Sequence, residues 1–413
     1  MSKLEELIAE LCPDGVEYKK IGELATILRG ASPRPIKNFI TSDEDGVNWI
    51  KIGDMAIGNK YVTHASEKIT AKGAEKSRKV KKGDFILSNS MSFGRPYILA
   101  IDGCIHDGWL AISDFNDTFV TDFLYYLLNS TDVQQEMAKR ASFGGAVQNL
   151  NADIVKSLML PVPPLSVQRE IVRILDIFTE HTTELTLELT AERTARNVQY
   201  EYCKDFVFTK FITEHTEYAP LSKVTDVRDG THDSPKPSNN GKYLLTSKNV
   251  KNGTINYDNA YLISEKEFDA INQRSKVDLW DLLFTMIGTV GEVGMIGDEP
   301  DFAIKNVGLI KTGDELLSRF LKYYLTTSTV KKYVENNRSK GSQMFLALGK
   351  LRNLPIPILE RKSMQEIVDL LSHFDDICTD IFSCIPAEIE ARQKQYEYYR
   401  NKLLSFKNIG DAV

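Results

Sequence analysis

The chain has 413 residues, 42% hydrophobic and 26% charged, a globular balance in a length too great for one ordinary core. A net charge of −6 argues against a protein that coats nucleic acid indiscriminately, while leaving room for local basic surface. No apolar run reaches the ~18–20 residues needed to cross a membrane, and the acidic N-terminus has no secretory core, so a cytoplasmic protein is expected.

In chain order, a strand-rich globular part is predicted from about residue 14 to 160. Val47-Asn48-Trp49-Ile50-Lys51-Ile52 and Gly83 to Ser88 read as strands by their β-branched content and bounding turn residues. A short helix, Phe123 to Met137, leads through a loop to Leu160-Pro161-Val162-Pro163-Pro164, which cannot continue a helix. A long helix then covers about 167–210. Leu175, Phe178, Leu185 and Leu189 fall on it at steps of three and four or their multiples, a coiled-coil seam.

The plan then repeats. Gln199-Tyr200-Glu201-Tyr202 returns as Gln395-Tyr396-Glu397-Tyr398, a shift of 196 residues (395 − 199). Glu170-Ile171-Val172 returns as Glu366-Ile367-Val368, Leu160-Pro161 as Leu354-Pro355, and Phe123-Leu124 as Phe320-Leu321. A second strand-rich part is expected over about 215–354, with a short helix from Arg319 to Asn336. A second long helix over about 363–406 carries Leu371, Phe374, Ile381 and Ile385 as its seam, and Pro386 is expected to kink or restart it. Two such stripes are best buried by antiparallel packing of the two helices on each other. The fold class is therefore α/β (α+β), a pseudo-twofold tandem repeat of two globular domains joined by two long antiparallel coiled-coil spacer helices. The expected boundaries are 1–164, 165–212, 213–358 and 359–413. Glu192, Arg196 and Gln199, repeated as Glu388, Arg392 and Gln395, occupy seam positions and are expected either to fix helix register or to bind a partner; a solvated face is the plain alternative.

The order of these segments resembles one family, the DNA specificity subunits of type I restriction-modification enzymes. In the first copy the resemblance rests on Gly30-Ala31-Ser32-Pro33-Arg34, Trp49-Ile50-Lys51-Ile52-Gly53-Asp54, Ser77 to Asp84 and Gly144 to Leu150. In the second it rests on Asp229-Gly230-Thr231-His232-Asp233-Ser234-Pro235-Lys236 and Thr246 to Val250, with the proline segment and long helix closing both copies. It implies two target-recognition domains, one per half of a bipartite double-stranded DNA site. It further implies two methyltransferase subunits alongside, endonuclease/translocase subunits completing the complex, and a role in phage defence. S-adenosylmethionine, ATP and Mg are expected on those partners and no cofactor on this chain. Gln343-Met344-Phe345-Leu346 departs from the glycine-rich form of the first copy.

Short polar side chains and arginine distinguish bases, while Lys, Arg, Ser and Thr hold phosphates. Candidates in the first copy are Ser32, Arg34, Lys37, Asn89, Ser90, Ser92 and Arg95, with Ser142, Gln148 and Asn149 on one loop. In the second they are His232, Asp233, Lys236, Ser247, Lys248, Asn249, Thr289, Lys305 and Asn306, with Arg338, Lys340 and Gln343 on the corresponding loop. The plain alternatives are turns at Ser32-Pro33 and Asp233-Ser234-Pro235, and a loop hydrogen bonder at His232.

Catalytic chemistry is not expected of the chain itself. No Asn/Asp-Pro-Pro-aromatic motif and no Walker A pattern occurs, and the glycines at 288, 291 and 294 do not form GxGxxG. The five cysteines contain no CxxC pair, and the six histidines are dispersed, so no metal site is expected. Two other readings are a reader fused to a methyltransferase, which the missing motif opposes, and a protein-only scaffold, which the divergence of the polar loops opposes.

Overall fold

A computed structural model describes residues 2–412 apart from 56–57, 90–92, 145–146, 252 and 342–343; for 142–144, 147–148, 379–383 and 411–412 it describes the backbone alone. The chain divides into two compact units. The first is discontinuous, Met1–Glu188 with Ala387–Val413, and the second is the uninterrupted stretch Leu189–Pro386.

In the first unit, one sheet has the strand order Thr26–Arg29, Trp109–Ser113, Phe85–Ser88, Pro96–Leu99, Tyr61–Val62. Its central strands are buried along their length except at Ser113, because both faces are covered. Phe85, Leu87, Leu110 and Ile112 point to one side, where Phe119, Phe123, Leu160 and Ile171 pack. Ile86, Trp109 and Ala111 alternate to the other, against Ile50 and Ile105 of a second sheet. In that second sheet Val47–Ile50 and Gly103–Ile105 run parallel, Cys104 opposite Trp49.

The second unit uses the same plan with fewer strands. Asp226–Asp229, Val307–Lys311, Leu282–Thr285 and Val293–Met295 form the covered sheet, and Lys242–Leu245 runs parallel to Phe302–Ile304 in the other. Leu282 and Phe284 face the helices, while Leu283 and Leu309 face Leu245 and Ile304. The proline segments are more than stops. Met159–Pro161 pairs antiparallel with Tyr18–Lys20, and Pro355–Pro357 with Tyr218–Pro220, two-stranded ribbons that suit residues lacking an N–H.

Each short helix expected from sequence is in fact two. Thr121–Leu128 stops at Asn129, and Ser130 caps a new helix, Thr131–Arg140, by accepting from the Val133 N–H. In the second unit Glu315–Leu325 and Ser328–Asn337 break at Thr326-Thr327, where the Thr327 hydroxyl turns back to the Tyr324 carbonyl. These hydroxyls offer the backbone a local partner that ends the helix.

The long helices run over Leu165–Phe211 and Arg361–Leu404, the second continuing through Pro386. Within the first unit, the early part of one and the late part of the other lie antiparallel: Phe178 meets Tyr399 with ring centroids 6.1 Å apart, and Thr179 meets Tyr396. Within the second unit Tyr200 likewise meets Asp375. Leu175, Leu371 and Ile385 of the expected seam are buried, Leu185, Leu189 and Phe374 are half-buried, Phe178 is exposed, and the side chain of Ile381 lies outside the described residues.

Candidate nucleic-acid interface

In both units the parallel strand pair opens, at its carboxyl ends, into loops that other loops then join. The first unit builds this from Gly30, directly after strand Thr26–Arg29. Its N–H donates to the Trp109 carbonyl at 2.8 Å, and Ala31 N–H to the Ile105 carbonyl at 3.2 Å. These bonds carry Ser32 and Arg34 to Asp107: the Ser32 hydroxyl donates to Oδ1 at 2.8 Å, and Arg34 Nη2 to Oδ2 at 3.2 Å. The Ser32 hydroxyl first, then a backbone N–H and Arg34, hold the Asp107 carboxyl below its ordinary range. The Asp107 carbonyl accepts from Arg29 Nε and Asn89 Nδ2. Asn89 closes the set, its N–H on the Gly108 carbonyl and its carbonyl taking the Leu150 N–H at 2.7 Å.

The second unit repeats the wiring with other side chains. Gly230 N–H donates to the Val307 carbonyl, Thr231 N–H to Ile304, and Asn306 N–H back to Thr231. His232 Nδ1 then lies 2.8 Å from Asn306 Oδ1, the counterpart of the Ser32–Asp107 bond. Its Nε2 lies 3.0 Å from buried Asp229, which also takes Arg274, and Lys305 reaches the Ser234 hydroxyl. The hairpin between Leu282–Thr285 and Val293–Met295 joins the last loop through Gly288 N–H to the Met344 carbonyl and Leu346 N–H to the Met286 carbonyl.

A family model described as the type I restriction modification DNA specificity domain matches residues 13–192 and 219–391, most of both copies. The chain belongs to this family. Among relatives of this specificity chain is a putative type I restriction enzyme specificity subunit of Haemophilus influenzae, 30% identical over 69% of this chain and 72% of its own length. The EcoR124I/EcoR124II specificity subunit of Escherichia coli is 26% identical over 71% and 72%, and the EcoprrI specificity subunit of the same species 24% over 92% of each. In fold, the chain is similar to one solved in work on the assembly and conformational transition of the type I R-M system, at a TM-score of 0.73 and 16% identity over 96% and 98%. A TM-score of 0.52, also at 16% identity over 96% and 98%, relates it to the HsdS subunit of Thermoanaerobacter tengcongensis.

The specificity chain thus brings together Ser32, Arg34 and Asn89, with Leu150 at the end of strand Val147–Asn149, in one unit, and His232, Lys305 and Asn306 in the other. Arg34, Asn149, Asp233, Lys236, Lys248, Thr289 and Lys340 are exposed, as is Lys37 on the turn Ile36–Asn38. Asn89 and Asn249 are 4% and 2% exposed; their amides hold loop backbone, Asn249 through Thr246 and Asp258, so they position the loops from beneath. Ser247 is half-buried in that same turn. Arg95 is half-buried, with no partner for Nη1 among the described residues, and Arg338 is engaged by Glu335 at a helix end. Ser90, Ser92 and Gln343, and the side chains of Ser142 and Gln148, lie outside the described residues. In Glu192–Arg196–Gln199 and Glu388–Arg392–Gln395 each arginine clamps a glutamate and a glutamine of its own helix, at 2.8 to 3.0 Å. Sequence reasoning missed Asp107, Asp229 and Arg274. Asp107-Gly108 carried a turn signal, and its counterpart Asn306 was already a candidate.

His106, beside Asp107, sits between Trp49 and Trp109. Gly108 N–H approaches its Nδ1 at 2.7 Å and Ile52 N–H its Nε2 at 3.2 Å. A neutral imidazole has one acceptor nitrogen, so the shorter contact is the full bond and the ring must stay uncharged to accept it. Burial pushes its pKa down, more than Asp107 and Asp54 push it up. The unfolded chain therefore takes this proton first, and stability falls as pH drops below about 6.5. Thermal melts at pH 7.5 and 5.5 should show a larger drop for the native chain than for His106→Gln; equal drops would remove His106 as the cause.

Proposed function

We propose that the chain is the DNA-reading subunit of a type I restriction-modification complex. Globular parts 1–164 and 213–358 are two target-recognition domains, each engaging one half of a split double-stranded site. Segments 165–212 and 359–413 are the spacers. The observation that carries this is the duplicated wiring from 32 to 107 and from 232 to 306, in which one backbone frame presents different polar side chains. A frame held constant while its tips change chemistry is what reading two different half-sites requires.

Reaction chemistry belongs to the partners. Two methyltransferase subunits would bring S-adenosylmethionine, and endonuclease/translocase subunits ATP and Mg. The Glu-Arg-Gln clamps, exposed apart from half-buried Glu388, offer those partners a polar helix face repeated in the two units. The setting is the cytoplasm; no described helix is long and apolar enough to cross a membrane.

The test is selection from a randomised DNA library by the chain co-purified with its methyltransferase, over a salt series. A split motif of fixed gap is expected. Arg34→Ala should cost about 1–3 kcal/mol and relax one position of one half-site. Lys37→Ala should weaken all sequences alike and reduce the salt slope by about 0.9. Selection of no motif by the native complex would overturn the reading.

A further inference from the structure

Four side chains meet where the first unit's globular part rests on its helix pair. Tyr126, 4% exposed, donates its hydroxyl to Asp176 Oδ1 at 2.6 Å and reaches the Thr179 hydroxyl at 3.4 Å. Thr179 also lies 2.9 Å from the Tyr396 hydroxyl, on the other long helix. Asp176 and Thr179 are one turn apart on the same helix face.

The second unit makes the same crossing with the acid moved. Tyr323, the counterpart of Tyr126, donates to Asp375 Oδ2 at 2.7 Å and lies 3.3 Å from the Ser372 hydroxyl. Tyr200, the counterpart of Tyr396, donates to the other oxygen of Asp375. By the repeat, Ser372 stands where the first unit has Asp176, and Asp375 where it has Thr179. Carboxylate and hydroxyl have exchanged places, yet each unit keeps one of each. Tyr200 and Tyr396 are the first tyrosines of the repeated Gln-Tyr-Glu-Tyr.

Physical chemistry accounts for both halves of the pattern. Without a carboxylate, a buried phenol loses a charge-assisted bond of about twice ordinary strength. With two, like charges face each other one turn apart. Burial, then the neighbouring aspartate, pushes the Tyr126 and Tyr200 phenols further up in pKa, the direction expected of a hydroxyl that donates to a carboxylate.

We propose that this relay is a positioning lock: it fixes the attitude of each recognition part on its own helix pair, and it needs one carboxylate and one hydroxyl in either order. The functional half of this statement rests on the DNA-reading role above. The lock adds a rule which that role does not contain, that exchanging the two side chains restores what removing the acid destroys.

The test uses Asp176→Ser and the double variant Asp176→Ser/Thr179→Asp, each co-purified with the methyltransferase. Two quantities are read: amide exchange over 121–128, and discrimination against a base change in the half-site assigned to the first unit, with the other half-site as internal control. Losing one charge-assisted bond should raise exchange about tenfold and lower discrimination at the first half-site by a similar factor. The double variant should return both to within about twofold. Exchange unmoved by the single variant, or not restored by the double, overturns the lock. Faster exchange with unchanged discrimination overturns its positioning role and leaves a plain stability contact. If the native complex selects no split site, the DNA-reading role falls and the exchange data alone decide the lock.

Discussion

Gly30→Ala should disable the first unit's recognition end. A Cβ at Gly30 would stand 1.9 Å from the His106 carbonyl oxygen and 2.7 Å from its carbon, so backbone must move. What moves is the frame itself: the Gly30–Trp109 and Ala31–Ile105 bonds hold Ser32 and Arg34 against Asp107. Forcing apart a packed contact costs about 1–3 kcal/mol, which for a unit of this size lowers its melting temperature by roughly 3–10 °C. Gly53→Ala is the control, because no described residue beyond its chain neighbours lies within 4 Å of its Cβ position. Calorimetry and library selection together check the outcome. A Gly30→Ala chain that melts and selects DNA like the Gly53→Ala control would show that the close approach is not what shapes the loops. Gly230, whose Cβ would fall 2.4 Å from the Ile304 carbonyl oxygen, should transfer the defect to the other half-site.

The second large effect is expected at Gln168, a fully buried side chain at the start of the first long helix. Its Oε1 accepts the Val120 N–H at 2.8 Å, and its Nε2 donates to the Thr118 and Pro163 carbonyls, each at 2.8 Å. Helix Thr121–Leu128 has no side-chain cap of its own, so this glutamine supplies one from a distant part of the chain. Gln168→Leu keeps the volume and strands three backbone groups, one buried and two partly buried. At about 1–3 kcal/mol for each unpaired group, reduced by relaxation, about 3 kcal/mol should be lost. The second unit predicts where the defect stops. Its counterpart residue is Met364, and its helix Glu315–Leu325 is capped by its own Asp314, which also receives Arg361 at 2.7 Å. Urea unfolding should therefore show the first unit's transition moving and the second's unchanged. A single transition shifted as a whole would mean that the two do not unfold independently.

The repeat was legible because its identities cluster where chemistry is not free to vary: the proline ribbon, the start of each long helix, and the Gln-Tyr-Glu-Tyr segment. Helix ends fell within two residues of those expected, since Leu165 follows directly on Pro164 and Arg361 comes four residues after Pro357. The loops were harder. The offset between copies drifts, from Gly30 and Gly230 to Phe123 and Phe320 to Leu160 and Leu354, so Asp107 was never aligned with Asn306. Asn89 looked like a reader because it is a short polar side chain among other polar candidates, whereas only the fold reveals that its amide is consumed by Asp107. The tyrosine relay was invisible for another reason. Its acid and hydroxyl occupy opposite positions in the two copies, which position-by-position comparison scores as two mismatches.

The discontinuity of the first unit has a consequence for biogenesis. The second unit is one unbroken stretch and can close as soon as it leaves the ribosome, while the first must wait for Ala387–Val413. At about 5–20 residues per second, synthesis of the intervening second unit takes on the order of ten to forty seconds. Throughout that interval the helix face bearing Phe178 and Thr179 lacks Tyr399 and Tyr396. The nascent chain thus carries a finished domain in front of an unfinished one, and the order in which its two readers mature is the reverse of the order in which they are translated.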